Sequence, residues 1–174
     1  MSNLAGKRIV ILVAEQFQDM EVMYPYYRFK EEGAEIIVAG TGSADIYNGK
    51  YGYPIKITTT ADKIKASDVD AVIIPGGWAP DFLRRYDFVN KFVRDAFEKG
   101  KIIAAICHGG SVLVSARILE GKTATAFKAI KDDMIYAGCN FVDKEVVVDC
   151  NLVTSRTPDD LPAFCKTIIK ELTK

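Results

Sequence analysis

The stretch "KIIAAICHGGSVLVSA", Lys101 to Ala116, decides how this chain is read. Its first part is short, continuously apolar and rich in isoleucine, as expected of a strand covered on both faces, and after two glycines apolar residues return in a segment suited to a helix. A strand passing straight into a helix is half of an alternating α/β unit. The bend holds Cys107 and His108, the one histidine among the 174 residues. A thiol at such a bend is forced outward, as serine is in a nucleophile elbow, and Gly109 and Gly110 leave room beside it. The free N–H groups and positive end of a helix starting near Gly109 favour thiolate over thiol.

Working outward, "RIVILVA" (8–14), "AEIIVAG" (34–40) and "VDAVIIPGG" (69–77) repeat the apolar, β-branched pattern and predict further parallel strands. Phe82, Phe88, Val89, Phe92, Val93, Ala96 and Phe97 recur at helical spacing before the glycine of "EKGK", which predicts one helix starting at Phe82. "MEVMYPYYRFKEEG" predicts a helix ending at Gly33, with Pro25 in its first turn or kinking it. Residues 40–54 are expected to form a loop or hairpin, "TATAF" (123–127) a strand, and "EVVVDCNLVTS" two short strands around a turn at Cys150 and Asn151. The closing helix takes Thr157 as N-cap and Pro158 at N1. Strand and helix alternate, so the expected fold is a doubly wound, mostly parallel α/β sheet with helices on both faces and right-handed crossovers. No repeat, low-complexity tract or linker interrupts residues 1–174, which read as one domain.

Lys+Arg and Asp+Glu both number 23, so the formal charge is zero and no basic field favours nucleic acid. The apolar run in "MSNLAGKRIVILVAEQFQD" is too short to span a membrane and follows no cationic leader, which predicts a cytoplasmic protein with no membrane partner. The four cysteines, at 107, 139, 150 and 165, form no CxxC unit and read as free thiols, with Cys139, Cys150 and Cys165 as inert core residues. One histidine and scattered cysteines do not make a zinc site. "GTGSAD" lacks the third glycine of a dinucleotide fingerprint, and "AEQFQD" lacks the small hydroxylated residues of a flavin phosphate cradle, so no cofactor is expected.

In such a sheet the ligand crevice lies at the carboxyl ends of the strands, where strand order reverses. Three segments end there: Glu15 to Glu21, Pro75-Gly76-Gly77, and Cys107. A cysteine has an ordinary pKa near 8.5, and a helix end lowers it by roughly one unit, so hydrogen bonds must supply the rest. A protonated Glu21 could donate to the Cys107 thiolate, whereas an ionised one would raise the thiol pKa. Backbone N–H groups of Gly77 and His108 are the natural oxyanion donors, with Gly76 and Gly77 allowing close approach. The His108 ring, next in sequence to the sulfur, reaches it only sideways and needs a carboxylate from elsewhere to orient it. Plainer roles compete: Glu21 as a first-turn acid, Pro75-Gly76-Gly77 as a turn, Asp81 as a cap for the helix at Phe82, His108 as a helix N-terminal residue, and Trp78 and the tyrosines as packing or interface residues.

The blocks "FQDMEVMYPYYRFKEEG", "VDAVIIPGGWAPD", "AAICHGGSVLVSA", "IKDDMIYAG" and "EVVVDCNLVTSRTPDDLPAF" resemble, in order and over nearly the whole chain, the PfpI-type intracellular cysteine proteases. That family also includes protein deglycases and cofactor-independent glyoxalases, and sits within the class I glutamine amidotransferase-like superfamily. The resemblance implies a flavodoxin-like fold, a nucleophile at Cys107, its neighbouring histidine at His108 and the sulfur-contacting glutamate at Glu21. It also implies that Asp81, in "GWAPD", orients His108 across a subunit interface, in a homo-oligomer built as dimers or hexamers. Gln18 stands where relatives often carry an acid, Phe127 where some have a pocket tyrosine, Gly110 where proline is common and Asp81 where glutamate is usual, which alters the pocket's polarity.

The reaction implied is attack of Cys107 on a small reactive carbonyl, of glyoxalase or deglycase type, without metal or glutathione. Two alternatives stand beside it: a cysteine peptidase using Cys107 and His108, and a nonenzymatic redox sensor or chaperone. A glutaminase triad would need a second histidine late in the chain, and there is none.

Overall fold

The computed structural model describes residues 3–174. The chain runs β1 (Arg8–Leu12), α1 (Asp19–Glu31), β2 (Glu35–Gly40), a hairpin of β3 (Ile46–Asn48) and β4 (Pro54–Lys56), β5 (Thr59–Thr60), β6 (Ala71–Ile74), α2 (Ala79–Leu83) and α3 (Asp87–Glu98). It continues through β7 (Ile102–Ile106), α4 (Gly110–Ala116), β8 (Thr123–Ala124), α5 (Lys131–Tyr136), β9 (Asn140–Phe141), β10 (Val146–Asp149), β11 (Leu152–Ser155) and α6 (Leu161–Leu172). The main sheet has the order β10-β11-β7-β6-β1-β2-β5 among the described residues, and only β10 is antiparallel to its neighbour.

Every residue of β6 is buried, which requires cover on both faces of the sheet and explains why its sequence does not alternate. The register is continuous through the centre: Val10 pairs with Ile37 on one side and Val72 on the other, and Ile73 pairs with Ala104. Helices α1 and α6 pack together, and α2, α3 and α4 form a second group. On α3, Val89, Phe92, Val93 and Ala96 make the buried stripe. Each large apolar side chain so buried contributes on the order of 1.5–3 kcal/mol.

Several local expectations are corrected. The helix expected from Phe82 is two helices, broken where Tyr86 turns extended (ψ 116°) and Asn90 Nδ2 donates to the Arg84 carbonyl at 2.8 Å. Pro80 opens the first, so Asp81 lies inside α2 and caps nothing. Pro25 sits buried in the interior of α1 rather than in its first turn, and having no N–H it leaves the Glu21 carbonyl without its helical donor. The "TATAF" strand shrinks to β8, which pairs with β9 outside the main sheet. Thr157 is extended but its side chain makes no cap; a 3-10 turn, Pro158–Asp160, precedes α6, and buried Asp160 accepts from Arg156 Nε at 3.0 Å instead. Cys150 is exposed at a left-handed turn (φ 55°) between β10 and β11, not in the core, whereas Cys139 and Cys165 are buried. No helix among the described residues is long and apolar enough to cross a membrane.

Candidate active site

Strand order reverses at β1, with β2 on one side and β6 on the other, and the loops that leave β1, β6 and β7 meet there. The first two are laced together: Gln18 N donates to Gly76 O at 3.2 Å and Trp78 N to Gln16 O at 2.9 Å. Gly77 has φ 71° and lies against the Gln16–Gln18 backbone, where a Cβ would collide. Gly76 is wedged against the reacting groups, since a Cβ there would lie 2.7 Å from Glu21 Oε2 and 3.0 Å from Cys107 Sγ. Both glycines are therefore required by close approach.

Helix α1 starts with an unusual cap. Gln18 Oε1 accepts from Met20 N at 2.7 Å and Glu21 N at 3.3 Å, the bonds an N-cap side chain supplies. Glu21 stands at the third helical position, from which a capping-box glutamate would reach back to Gln18 N–H. It turns instead to Gly76 N, which donates to Oε2 at 2.6 Å, while Gln18 N donates to Gly76 O, so the neighbouring loop satisfies both ends of that missing bond. Glu21 is fully buried, its Oε1 has no hydrogen-bond partner among the described residues, and the carboxyl group faces the Cys107 thiol. Burial pushes the Glu21 pKa up to about 7, against the smaller downward pull of Gly76 N–H, Cys107 and Lys50.

Cys107 adopts φ 59°, a left-handed conformation that costs a non-glycine residue of order 1 kcal/mol or more. Two contacts hold it there. Gly109 lies directly against the Ile74 carbonyl, where no Cβ would fit, and Phe127 N donates to Cys107 O at 3.2 Å. The sulfur is 3.4 Å from His108 Nδ1 and is faced by the backbone N–H groups of His108 and Gly77. The two N–H groups expected at an oxyanion thus point at the sulfur itself. In the single chain burial first, and the Glu21 charge second, push the Cys107 thiol up to about 12. The modest help expected from a helix end does not set the balance: α4 begins only at Gly110, after a 3-10 turn, and burial is the largest influence on the thiol. The carboxyl and the thiol compete for protons, and the sulfur becomes a thiolate more easily when Glu21 keeps its own.

His108 is half-buried, its ring 4.9 Å from that of Phe127. Burial lowers its pKa, with Asp81 pulling it up and Lys50 down. Asp81 is exposed on α2 and makes no hydrogen bond or ion pair to His108 within the chain, so these two are not brought into contact. Cys107, His108, Glu21, Gln18, Gly77 and Phe127 do share one cleft of about 250 Å³, completed by Lys50, Trp78 and Pro158. Lys50 and Pro158 were not anticipated from sequence, and Trp78 is a wall of the cleft rather than packing. The "YNGKYGY" turn was the available signal for Lys50: buried Asp19 accepts from Tyr51 N at 3.0 Å and Tyr53 N at 3.1 Å, fixing the hairpin over the site.

A strained thiol, a buried carboxyl and an imidazole at the switch point of a mostly parallel sheet define a flavodoxin-like α/β protein with a cysteine-centred site. The model described as the DJ-1/PfpI family matches residues 7–171, and the chain belongs to that family. Deglycase PfpI of Pyrococcus furiosus is 42% identical over 165 residues, covering 95% of this chain and 99% of that one. YraA of Bacillus subtilis, whose name assigns it provisionally to the cysteine proteases, is 42% identical over 159 residues, covering 91% of this chain and 94% of that one. The crystal structure of Drosophila melanogaster DJ-1beta superposes with a TM-score of 0.89 at 28% identity, over 97% of this chain and 91% of that one. The names of the first two relatives are those of enzymes.

Proposed function

We propose that this is a single-domain cytoplasmic enzyme that converts small reactive carbonyl compounds, 2-oxoaldehydes or their adducts on amino groups, through Cys107. The carrying observation is the buried Glu21 carboxyl, with a pKa of about 7, set against a thiol at a strained bend. A proton carrier works best when its pKa lies near the working pH, and this one has been moved there by burial. The deglycase name of the Pyrococcus relative supports the same reading.

In the reaction, Cys107 Sγ bonds to the aldehyde carbon as the thiol proton passes to Glu21 or His108, which returns it to the new alkoxide oxygen, giving a hemithioacetal. Gly77 and His108 N–H groups, already facing the sulfur, hold the developing oxyanion two bonds away. Glu21 carboxylate or His108 then moves the proton from the former aldehyde carbon to the neighbouring carbonyl carbon while the hydroxyl proton passes to the neighbouring oxygen, leaving a 2-hydroxy thioester. Water cleaves the carbon–sulfur bond, releasing the 2-hydroxy acid and restoring the thiol. No redox partner enters, because one carbon is oxidised as its neighbour is reduced.

The 3.4 Å Cys107–His108 contact favours a second reading, peptide hydrolysis through an acyl-enzyme. In that reading Asp81 of a neighbouring copy in a dimer or hexamer orients the imidazole. Purified protein is incubated with methylglyoxal and, separately, with fluorogenic peptides, each beside Cys107→Ala. Lactate formation lost in the variant is the expected result; peptide cleavage lost in the variant, without lactate formation, would transfer the assignment to the peptidase.

A further inference from the structure

Lys50 brings to the cleft a charge that the proposed reaction does not use. It lies in the turn between β3 and β4, and its backbone N–H donates to Phe17 O at 2.9 Å, next to the loop that leads into α1. The residues after it are pinned by the buried Asp19 carboxylate through Tyr51 N and Tyr53 N. A Cβ on Gly49 would run into that carboxylate, so the turn is seated as closely as a glycine permits. The backbone that carries the exposed Lys50 side chain is thus preorganised, and part of the cost of ordering this turn on binding is already met.

The Lys50 ammonium rests 5.0 Å from the centroid of the Tyr51 ring and has no carboxylate partner among the described residues. Around it, Gln18, Trp78, Phe127 and Pro158 are uncharged walls. Burial keeps His108 below its ordinary pKa of 6.5, hence neutral at pH 7, and Glu21 is close to half-protonated there. Among the described residues lining the cleft Lys50 thus carries the one full charge, and its field reaches both Glu21 and His108; Asp81, outside that lining, acts on His108 in the opposite sense. A cation so placed, next to a nucleophile and without a counter-ion, is a subsite for an anion.

We infer that Lys50 is a specificity residue that makes the cleft prefer carbonyl compounds carrying a carboxylate, the fitting class being 2-oxoaldehydes with a carboxylate at the far end. This rests on the small-carbonyl reading of Cys107 and narrows it. 4,5-Dioxopentanoate is such a compound; by the route above it takes up one water and leaves as 2-hydroxyglutarate. Methylglyoxal is its neutral counterpart.

The test that does not depend on turnover is alkylation of Cys107 by iodoacetate and by iodoacetamide, similar in size but different in charge, read by mass spectrometry of the Cys107 peptide. Any effect of Lys50 on thiol ionisation cancels in the ratio of the two rates. Exposed Cys150 in the same molecule is the internal control. The iodoacetate-to-iodoacetamide ratio at Cys107 falls about fivefold in Lys50→Met and recovers in Lys50→Arg, while the ratio at Cys150 stays put. The kcat/KM ratio of 4,5-dioxopentanoate to methylglyoxal falls in parallel. An alkylation ratio at Cys107 unchanged by Lys50→Met overturns the inference, even with methylglyoxal turnover intact. A Lys50-dependent ratio in a protein that converts neither aldehyde upholds anion recognition and sinks the reaction instead.

Discussion

Cys107 and Cys165 are both buried, 7% and 1% exposed, and burial pushes both thiols up to about 12. Around Cys165, on α6, the remaining influence is a weak pull from the Arg28 charge, and its neighbours Phe164 and Ile168 are core residues. Around Cys107 are a carboxyl group, an imidazole nitrogen at 3.4 Å, two backbone N–H groups and a cleft. The same displacement of pKa therefore accompanies an inert thiol and a chemically furnished one. Burial alone marks neither; what separates them is whether polar partners stand ready to share the proton when the sulfur gives it up.

That contrast can be broken most decisively by thiol labelling of the native protein. Cys165 has no route to reagent short of unfolding, so its iodoacetamide labelling lags that of Cys107 by about a thousandfold or more, set by the fraction of opened molecules. Comparable rates by mass spectrometry would show that the α6 site opens independently and that the two regions are less different than their surroundings imply.

A smaller effect sharpens the role of Glu21. Its carboxyl is raised from 4.5 to about 7, so between those values the folded protein keeps a proton that the unfolded chain has released. The stabilisation is complete below about pH 4.5 and is lost as pH rises through about 7, with a ceiling on the order of 3 kcal/mol. Urea unfolding at pH 5 and pH 7.5 should show this decline, and Glu21→Gln should remove it. If the variant declines as steeply as the parent, the titrating group lies elsewhere.

The smallest effect concerns the cap that sets Glu21 at its position. Gln18→Ala removes acceptors from Met20 N and Glu21 N and costs about 1 kcal/mol of stability, read as a lowered unfolding midpoint. No loss would mean that the Gly76 and Gly77 contacts hold this end of α1 without help from the side chain.

Much of this was legible in the residues. The runs that became β1, β2, β6 and β7 declare themselves because a strand buried on both faces has no polar positions to disguise it. The order of Cys107, His108 and two glycines marks a sharp bend because only small residues fit beside it. Other features were hidden by the same local logic. Helical spacing runs unbroken from Phe82 to Phe97, yet the chain breaks between them, since Asn90 satisfies a carbonyl that periodicity does not register. Cys150, between Asp149 and Asn151, reads both as a turn residue and as a core thiol; it sits at the turn and is exposed, because the apolar runs on either side of it say nothing about its own burial. Asp81 reads as a cap for a helix at Phe82 and lies instead inside α2.

The sequence by itself determined which segments are strands, where the chain must bend, and that a thiol and an imidazole occupy the principal bend, because periodicity and glycine placement are properties of neighbouring residues. Only the tertiary structure decided that Glu21 meets the sulfur through a space kept open by Gly76, that burial sets the pKa of both groups, and that Lys50 arrives on a hairpin to supply the cleft's full charge. Those outcomes depend on crossovers that carry remote loops to one end of the sheet, and on solvent exclusion there. Neither is a property of any short stretch of chain.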